Sequence, residues 1–379
     1  MKIGLNAHLL SFEPTYRQAG VSKYTEAMLR YLPEVAADLE LIAFTGPARP
    51  RPEQGLDSRI EWRHSRLPTA KPEVRIGWEQ SSGVIAAQRA GIELLHSPVN
   101  VVSIGAWLPQ VVTVHDLAFH HYPEQYPGMK QRYLRTMTRL SVRKARRVIA
   151  VSEATRQDVI AVYGVDPERV VTVPNGVDDS MQPLPEDELG RFRAEQSLPE
   201  HFFLFLGTLQ PRKNIEALVR AYATASMGID WPLVIAGAQG WQYEQIYAQV
   251  QALGLGSQVR FAGHVPGEQL RHWYSAASIL VYPSFYEGFG LPLLEAMACG
   301  TPVIGSNVSS LPEVIGDAGL QVDPRDVPAL ASEMLRLAAD RELQQQLIER
   351  GLERAASFTW RETARQTVEV YRRVIAESR

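Results

Sequence analysis

A single cysteine, Cys299, stands in 379 residues, which excludes a disulfide framework and any zinc site built on thiolates. Its setting, Ala-Met-Ala-Cys-Gly at a helix end, suits a small buried hydrophobe. No uninterrupted stretch approaches twenty apolar residues, so nothing reads as a membrane-spanning helix. The chain opens on Met-Lys-Ile-Gly-Leu-Asn-Ala, which reads as a strand and lacks the apolar run of a secretory signal. The expected location is the cytoplasm, or peripherally the inner face of its membrane. Charge of one sign is also scarce: 39 basic against 42 acidic residues give a net −3, with no overall bias toward nucleic acid. No Gly-x-Gly-x-x-Gly turn follows a strand, which weighs against dinucleotide-dependent redox chemistry.

What is present is α/β rhythm, repeated twice. A chain of this length exceeds what one hydrophobic core usually serves, and 45% hydrophobic residues fill two. Short apolar runs at 2–7, 39–45, 61–64, 94–97, 111–115, 148–152 and 170–173 read as strands of one sheet. Those at 202–207, 233–237, 259–263, 279–283, 303–305 and 320–322 read as strands of a second. Amphipathic helical patterns lie between them, for example at 217–225, 243–253 and 329–338. Each half is expected to be a Rossmann-like, doubly wound parallel sheet. The break falls near Asn175-Gly176-Val177-Asp178, a turn signal before a polar, proline-bearing stretch. The expected domains are 1–178, joined by a final helix at 361–379 that crosses back, and 179–360. The first would be the acceptor side and the second the donor side. In such folds ligands bind outside the carboxyl ends of the strands, and two facing domains would enclose one cleft.

The strongest motif is Ser284-Phe-Tyr-Glu287-Gly-Phe-Gly290-Leu-Pro292-Leu-Leu-Glu295. It follows a strand, and Pro292 suits the first turn of a helix. Amides around Gly288, Phe289, Gly290 and Leu291 would then point out of a helix N-terminus and favour an anion. Glu287 ahead of the helix and Glu295 one turn inside it suit a ligand carrying both phosphates and hydroxyls, a sugar nucleotide. The plainer reading is that both glutamates only complement the helix dipole. A second motif, Gly207-Thr-Leu-Gln-Pro211-Arg212-Lys213-Asn214, puts two cations at a helix start. That is unfavourable without a bound anion such as diphosphate; a solvated surface pair is the other reading. The third motif, Val111-Val-Thr-Val-His115-Asp116, ends a strand on two polar residues placed for chemistry, or else on a packed histidine with Asp116 as a helix cap. The fourth, Gln18-Ala-Gly20-Val-Ser22-Lys23-Tyr24, is a glycine loop entering a helix, a weak signal alone.

Taken together these segments resemble the retaining glycosyltransferases of family 4, also called group 1, with the GT-B fold. The resemblance runs from Met1 to about Thr359. It rests most on Glu-x7-Glu, met by Glu287 and Glu295, and is supported by Gly20, His115-Asp116, Val151-Ser152-Glu153-Ala154-Thr155, Pro174-Asn175-Gly176, Arg212-Lys213, Gly263-His264-Val265 and Leu311-Pro312-Glu313-Val314. It implies that Glu295 holds the donor ribose and Glu287 the hydroxyls of the transferred sugar. The amides of Phe289, Gly290 and Leu291 would lie near sugar and diphosphate. Arg212 and Lys213 would neutralise the leaving diphosphate, His115 would meet the sugar near the reacting carbon, Gly20 would admit the phosphate, and Val265 would contact the base through its backbone. The implied chemistry is a front-face transfer with retention. No cofactor or metal is expected, since Asp-x-Asp, the usual metal–diphosphate site of the other large glycosyltransferase fold, is absent.

Two departures touch loops near the expected site. Asn307-Val-Ser309-Ser310 replaces a common Gly-Gly before Pro-Glu-Val, and the first loop has one glycine, Gly20, where many have two. The Ser-Ser form and His115-Asp-Leu-Ala-Phe resemble bacterial mannosyltransferases of polysaccharide assembly, which favours GDP-mannose as donor and a glycan or lipid-linked acceptor. A UDP-sugar-dependent glucosyl- or N-acetylhexosaminyl-type transferase is the nearest alternative. An epimerase, a sugar phosphorylase or a non-catalytic binding subunit are those of other kinds. Finally, Lys130, Arg132, Arg135, Arg139, Arg143, Lys144, Arg146 and Arg147 crowd one acid-free segment. Arg132, Arg135, Arg139 and Arg143 repeat at helical spacing and would line one face as a stripe, with Leu134, Met137 and Leu140 turned to the core. Such a stripe suits anionic lipid or is simply a solvated face.

Overall fold

The computed structural model describes residues 1–10, 20–47, 55–69 and 71–379, which fall into two compact units, Met1–Gly176 with Trp360–Arg379, and Val177–Thr359.

The first unit holds strands β1 (Lys2–Asn6), β2 (Glu40–Thr45), β3 (Glu61–His64), β4 (Leu94–Ser97), β5 (Gln110–Val114), β6 (Arg147–Ala150) and β7 (Val170–Thr172). They form one parallel sheet in the order β3-β2-β1-β4-β5-β6-β7. The second unit holds β8 (Phe203–Leu206), β9 (Leu233–Ala236), β10 (Val259–Gly263), β11 (Ile279–Tyr282), β12 (Val303–Ser306) and β13 (Leu320–Val322), ordered β10-β9-β8-β11-β12-β13 and likewise parallel. The thirteen expected strand segments are thus the strands of the described residues. Central strands are buried throughout, as in β4, β5, β8 and β11, whereas the edge strand β3 alternates exposed and half-buried residues. That difference is why the runs read as continuous apolar stretches rather than alternating ones: helices cover both faces of a parallel sheet.

Strand order reverses between β1 and β4 in one sheet and between β8 and β11 in the other. At such a reversal the two crossovers leave to opposite faces, so a crevice opens beyond the carboxyl ends. Each unit therefore has one place prepared for a ligand before any side chain is considered.

The final helix, Trp360–Ser378, packs on the helix Val21–Val35 of the first unit. It buries Trp360, Ala364, Val368, Tyr371 and Val374 on one stripe, the i, i+4, i+7 pattern of an amphipathic helix. Thr363 Oγ1 donates to the Pro174 carbonyl at 2.7 Å, and Tyr371 Oη lies 2.6 Å from His96 Nδ1. From His96 a buried chain continues through Thr113 Oγ1, 2.8 Å away, to Tyr24 Oη at 3.1 Å. The helix thus pins β4, β5 and the helix after Gly20.

The basic segment needs two corrections. Its helix spans Gly128–Lys144, and its buried residues are Thr138, Ser141 and Val142, so the core-facing stripe runs through those positions and Leu140 is 44% exposed. Arg147 is no part of the stripe: it lies in β6, buried, and pairs with Glu377 of the final helix. Lys130, Arg132, Arg135, Arg139, Arg143, Lys144 and Arg146 do stand exposed.

Candidate functional site

The polar residues of the second unit converge where its strand order reverses. Beyond β8 the chain runs through Gly207 into a short turn, Pro211–Lys213, and beyond β11 through Pro283 to Glu287. The turn corrects the expected helix start. Asn214, at a left-handed φ of 57°, separates Arg212 and Lys213 from the helix Ile215–Ala225. Its side-chain amide donates to the carbonyls of Pro283 and Pro324, which binds the turn to the β11 loop. Both cations are therefore aimed by their own turn.

Glu287 is their shared partner. Lys213 Nζ lies 2.5 Å from Glu287 Oε1, and Arg212 Nη1 lies 3.1 Å from Oε2. Ser284 Oγ adds a hydrogen bond of 2.7 Å to Oε1. Lys213 also donates to Tyr282 Oη at 2.5 Å, and Arg212 to the Tyr286 carbonyl at 2.5 Å. Lys213 is only 8% exposed and Glu287 9%, which overturns the reading of a solvated surface pair. Burial alone would push the Glu287 carboxyl upward, but Lys213, Arg212 and the bonds from Lys213 and Ser284 outweigh it and hold it at about 2. Burial and the neighbouring Glu287 raise the Tyr282 hydroxyl well above its ordinary value, so it stays neutral. Two cations and one carboxylate leave this trio with a net positive charge, suited to an anionic group.

Next to the trio begins the helix Leu291–Ala298, with Pro292 in its first turn. Gly290 precedes it at φ 115°, where an added Cβ would meet Leu311 Cδ2 at 2.7 Å, so only glycine fits. The first amides of a helix have no acceptor within it, and Glu287 stands just ahead of this one in the chain. Glu295 stands apart from that trio. It is buried on the same helix and accepts 2.9 Å from Tyr274 Oη, whose proton burial and Glu295 hold in place. Val265, 7% exposed, follows β10.

In the first unit His115 follows β5. Its Nε2 is 2.8 Å from the Pro98 carbonyl, and since a carbonyl only accepts, Nε2 carries the proton. Burial lowers its pKa, against the opposing pull of Pro98 and Asp116, so the ring is neutral and Nδ1 holds a lone pair. The edge of Tyr24 packs against that ring, with centroids 4.9 Å apart. Asp116 Oδ1 accepts from the Ala118 amide at 2.9 Å, a local turn ahead of the short helix Ala118–His121, whose N-cap is Leu117. Gly20, at φ 58°, precedes the helix Val21–Val35 and accepts from the Tyr24 amide; Gln18 and Ala19 of that motif lie outside the described residues.

Sequence reasoning missed Ser284, Tyr282 and Tyr274. Ser284 opens the Glu287 motif without having been given a role and Tyr282 ends the strand before it, so both could be read from adjacency. Tyr274 lies 21 residues before Glu295 with no spacing rule to connect them. Among the described residues no group of three or more His, Cys, Asp or Glu is placed to hold a metal ion.

Comparison with known proteins covers both units. Residues 19–181 match the family model described as Glycosyltransferase Family 4, and residues 188–354 match that of Glycosyl transferases group 1. The O-antigen chain mannosyltransferase B of Escherichia coli is 37% identical over 265 residues, which are 69% of this chain and 70% of that protein. The serotype-specific mannosyltransferase WbdA of Escherichia coli is 32% identical over 296 residues, 75% of this chain but 36% of the relative, so the chain spans little more than a third of that protein. Among solved structures, sucrose-phosphate synthase of Thermosynechococcus elongatus superposes with a TM-score of 0.80 at 25% identity, covering 99% of each chain.

Proposed function

The chain belongs to the glycosyltransferases of group 1, family 4, and we propose that it moves a mannosyl residue from GDP-mannose to a glycan or lipid-linked acceptor, with retention at the anomeric carbon. The observation that carries this reading is the Arg212–Lys213–Glu287 trio beside the N-terminus of the helix Leu291–Ala298. A buried positive site next to a helix N-terminus is what a leaving diphosphate needs, because its charge grows as the glycosidic bond breaks. A carboxylate in the same cluster accepts hydroxyl hydrogens, which a sugar supplies and inorganic diphosphate does not.

In this reading Arg212, Lys213 and the amides of Gly288, Phe289, Gly290 and Leu291 bind diphosphate, and Gly20 has the role of a phosphate-admitting glycine. Glu295 takes the ribose hydroxyls, with Tyr274 fixing its carboxylate, and Val265 offers its backbone to the base. His115 accepts a hydroxyl of the transferred sugar through Nδ1. Mannose is favoured by the two mannosyltransferase relatives; a UDP-hexose is the alternative. Two cations and helix amides can neutralise diphosphate without a divalent ion, so turnover is proposed to be metal-independent.

A thermal-shift panel of GDP, UDP, ADP and their hexose conjugates, run in EDTA, tests the donor site, because a bound ligand raises apparent stability by mass action. A shift with the GDP series, lost in Arg212→Ala and Glu295→Ala, is the expected result. No shift with any nucleotide defeats the reading, and a shift that needs added divalent ion defeats metal independence. The product anomer, read by NMR, separates retention from inversion.

The helix Gly128–Lys144 is proposed to meet an anionic bilayer, where a lipid-linked acceptor would be found. It presents Lys130, Arg132, Arg135, Arg139, Arg143 and Lys144 with Met129, 88% exposed, at its start. Each cation near an anionic surface adds about 1 kcal/mol. Sedimentation with phosphatidylglycerol-containing vesicles is expected to bring the protein down at low salt and not with neutral vesicles. Equal recovery with both would remove the proposal. No helix of the described residues is long and apolar enough to cross a membrane.

A further inference from the structure

Ser309 adopts φ 57°, a left-handed backbone that serine occupies at a cost and glycine does not. What accompanies that cost is a single oxygen with three backbone partners. Ser309 Oγ donates to the Glu287 carbonyl at 2.8 Å, accepts the Glu287 amide at 2.9 Å and accepts the Ser310 amide at 2.6 Å. Ser310, fully buried, shares its hydroxyl hydrogen between the carbonyls of Glu287 at 2.9 Å and Phe289 at 2.8 Å.

These bonds fall on the loop between β11 and the helix Leu291–Ala298, where Arg212 also holds the Tyr286 carbonyl. Phe285 is tied back by its amide to the Arg212 carbonyl, and regular bonding resumes when Leu293 reaches Gly290. Between them, Gly288 and Gly290 give the backbone wide freedom. Loops with few restraints lose precision first, and a site misplaced by about 1 Å can lose about a hundredfold in rate.

We propose that Ser309 and Ser310 are positioning residues that clamp the main chain of Glu287 and Phe289, and that this clamp sets the preference for a sugar nucleotide over the bare nucleotide. The second half rests on the proposed contact of Glu287 with the transferred sugar. Mechanically, the side chain of Glu287 is fixed by Arg212, Lys213 and Ser284, and its backbone by the two serines. The carboxylate therefore cannot swing to follow the cations when a diphosphate draws on them. The clamp also withdraws the Glu287 amide from anion binding, which leaves that task to the amides that follow it.

Ser309→Gly separates clamp from scaffold, because glycine accepts the same φ without strain. Its Tm is expected not to fall, while amide hydrogen exchange across 285–291 in the ligand-free protein speeds up about tenfold. By calorimetry, GDP affinity is expected to stay within about twofold and GDP-mannose to bind about tenfold more weakly. Ser310→Ala is expected to reproduce the exchange effect. Unchanged exchange in both variants overturns the clamp. Faster exchange with GDP and GDP-mannose weakened alike overturns its role in sugar preference. If the unaltered protein binds no GDP-mannose yet Ser309→Gly accelerates exchange, the proposed donor fails and the clamp stands.

Discussion

Lys213→Ala is expected to abolish measurable transfer and also to destabilise the second unit, by about 3–5 kcal/mol, the usual cost of breaking a buried ion pair on one side. The reason is that Glu287 is 9% exposed and owes its ionised state to its neighbours. With Lys213 gone, only Arg212 and the Ser284 hydrogen bond oppose the desolvation of the carboxylate, and its pKa rises. The linkage has a definite sign. The carboxyl sits at about 2 in the folded protein against an ordinary 4.5, so its contribution is complete above pH 4.5 and is lost as pH falls toward 2. The difference corresponds to about 3 kcal/mol. Unfolding by urea at a series of pH values should show this loss in the unaltered protein below pH 4.5. In Lys213→Ala the acid limb should begin at higher pH. Lys213→Met, which keeps most of the volume and removes the charge, should show the same shift, so lost packing is not the cause. Glu287→Gln offers the complement: the cations keep a hydrogen-bonding partner, stability falls less, and the acid limb attributable to this group disappears. A Lys213→Ala variant with unchanged acid stability would show that the pair does not govern the carboxylate.

Much of this arrangement was legible in the residue order, and the parts that were not have a common cause. Apolar runs marked the central strands because parallel strands there are buried on both faces, whereas the edge strand β3, Glu-Trp-Arg-His, is neither apolar nor buried. The glycines and Pro292 marked the helix start because few residues can occupy those backbone positions. Glu287, Arg212 and Lys213 were singled out as charges at or ahead of helix starts, yet their direct pairing spans 75 and 74 residues. No local pattern encodes that distance. It follows from β8 and β11 being neighbours in the sheet, which is a property of topology. The Tyr274–Glu295 bond and the Ser309–Ser310 clamp were invisible for the same reason. The Ser-Ser replacement of a glycine pair was visible as an oddity, but only the left-handed φ of Ser309 and its bonds to Glu287 give it a purpose. Leu140 was misplaced because helical periodicity alone leaves the buried face open by one position. Thr138, Ser141 and Val142 take that face, with Leu134 half-buried against the same core, and two of the three buried residues are polar, so hydrophobicity placed Leu134 but misplaced Leu140.

His115→Ala is expected to lower kcat by about a hundredfold or more while leaving the affinity for the nucleotide near its original value. The split follows from where the groups lie. Arg212, Lys213, Glu287 and Glu295 all belong to the second unit, and His115 belongs to the first. Its role is also defined by its tautomer. Nε2–H is committed to the Pro98 carbonyl, the Tyr24 edge fixes the ring plane, and burial keeps the imidazole neutral. Nδ1 can then accept a hydroxyl hydrogen without any change of protonation. Because the pKa is lowered from 6.5, this residue should contribute no inflection to kcat above pH 6.5. It should begin to cost activity only on the acid side, as protonation of Nδ1 removes the lone pair. His115→Asn keeps a polar side chain but cannot reproduce both contacts, and should recover little. Three readouts separate the possibilities: kcat, nucleotide affinity and the pH profile. Loss of nucleotide affinity in step with kcat would place His115 among the donor-binding groups, and undiminished turnover would remove it from the reaction. A deficit in kcat alone, with a flat profile above pH 6.5, is what a neutral acceptor acting on the transferred sugar requires.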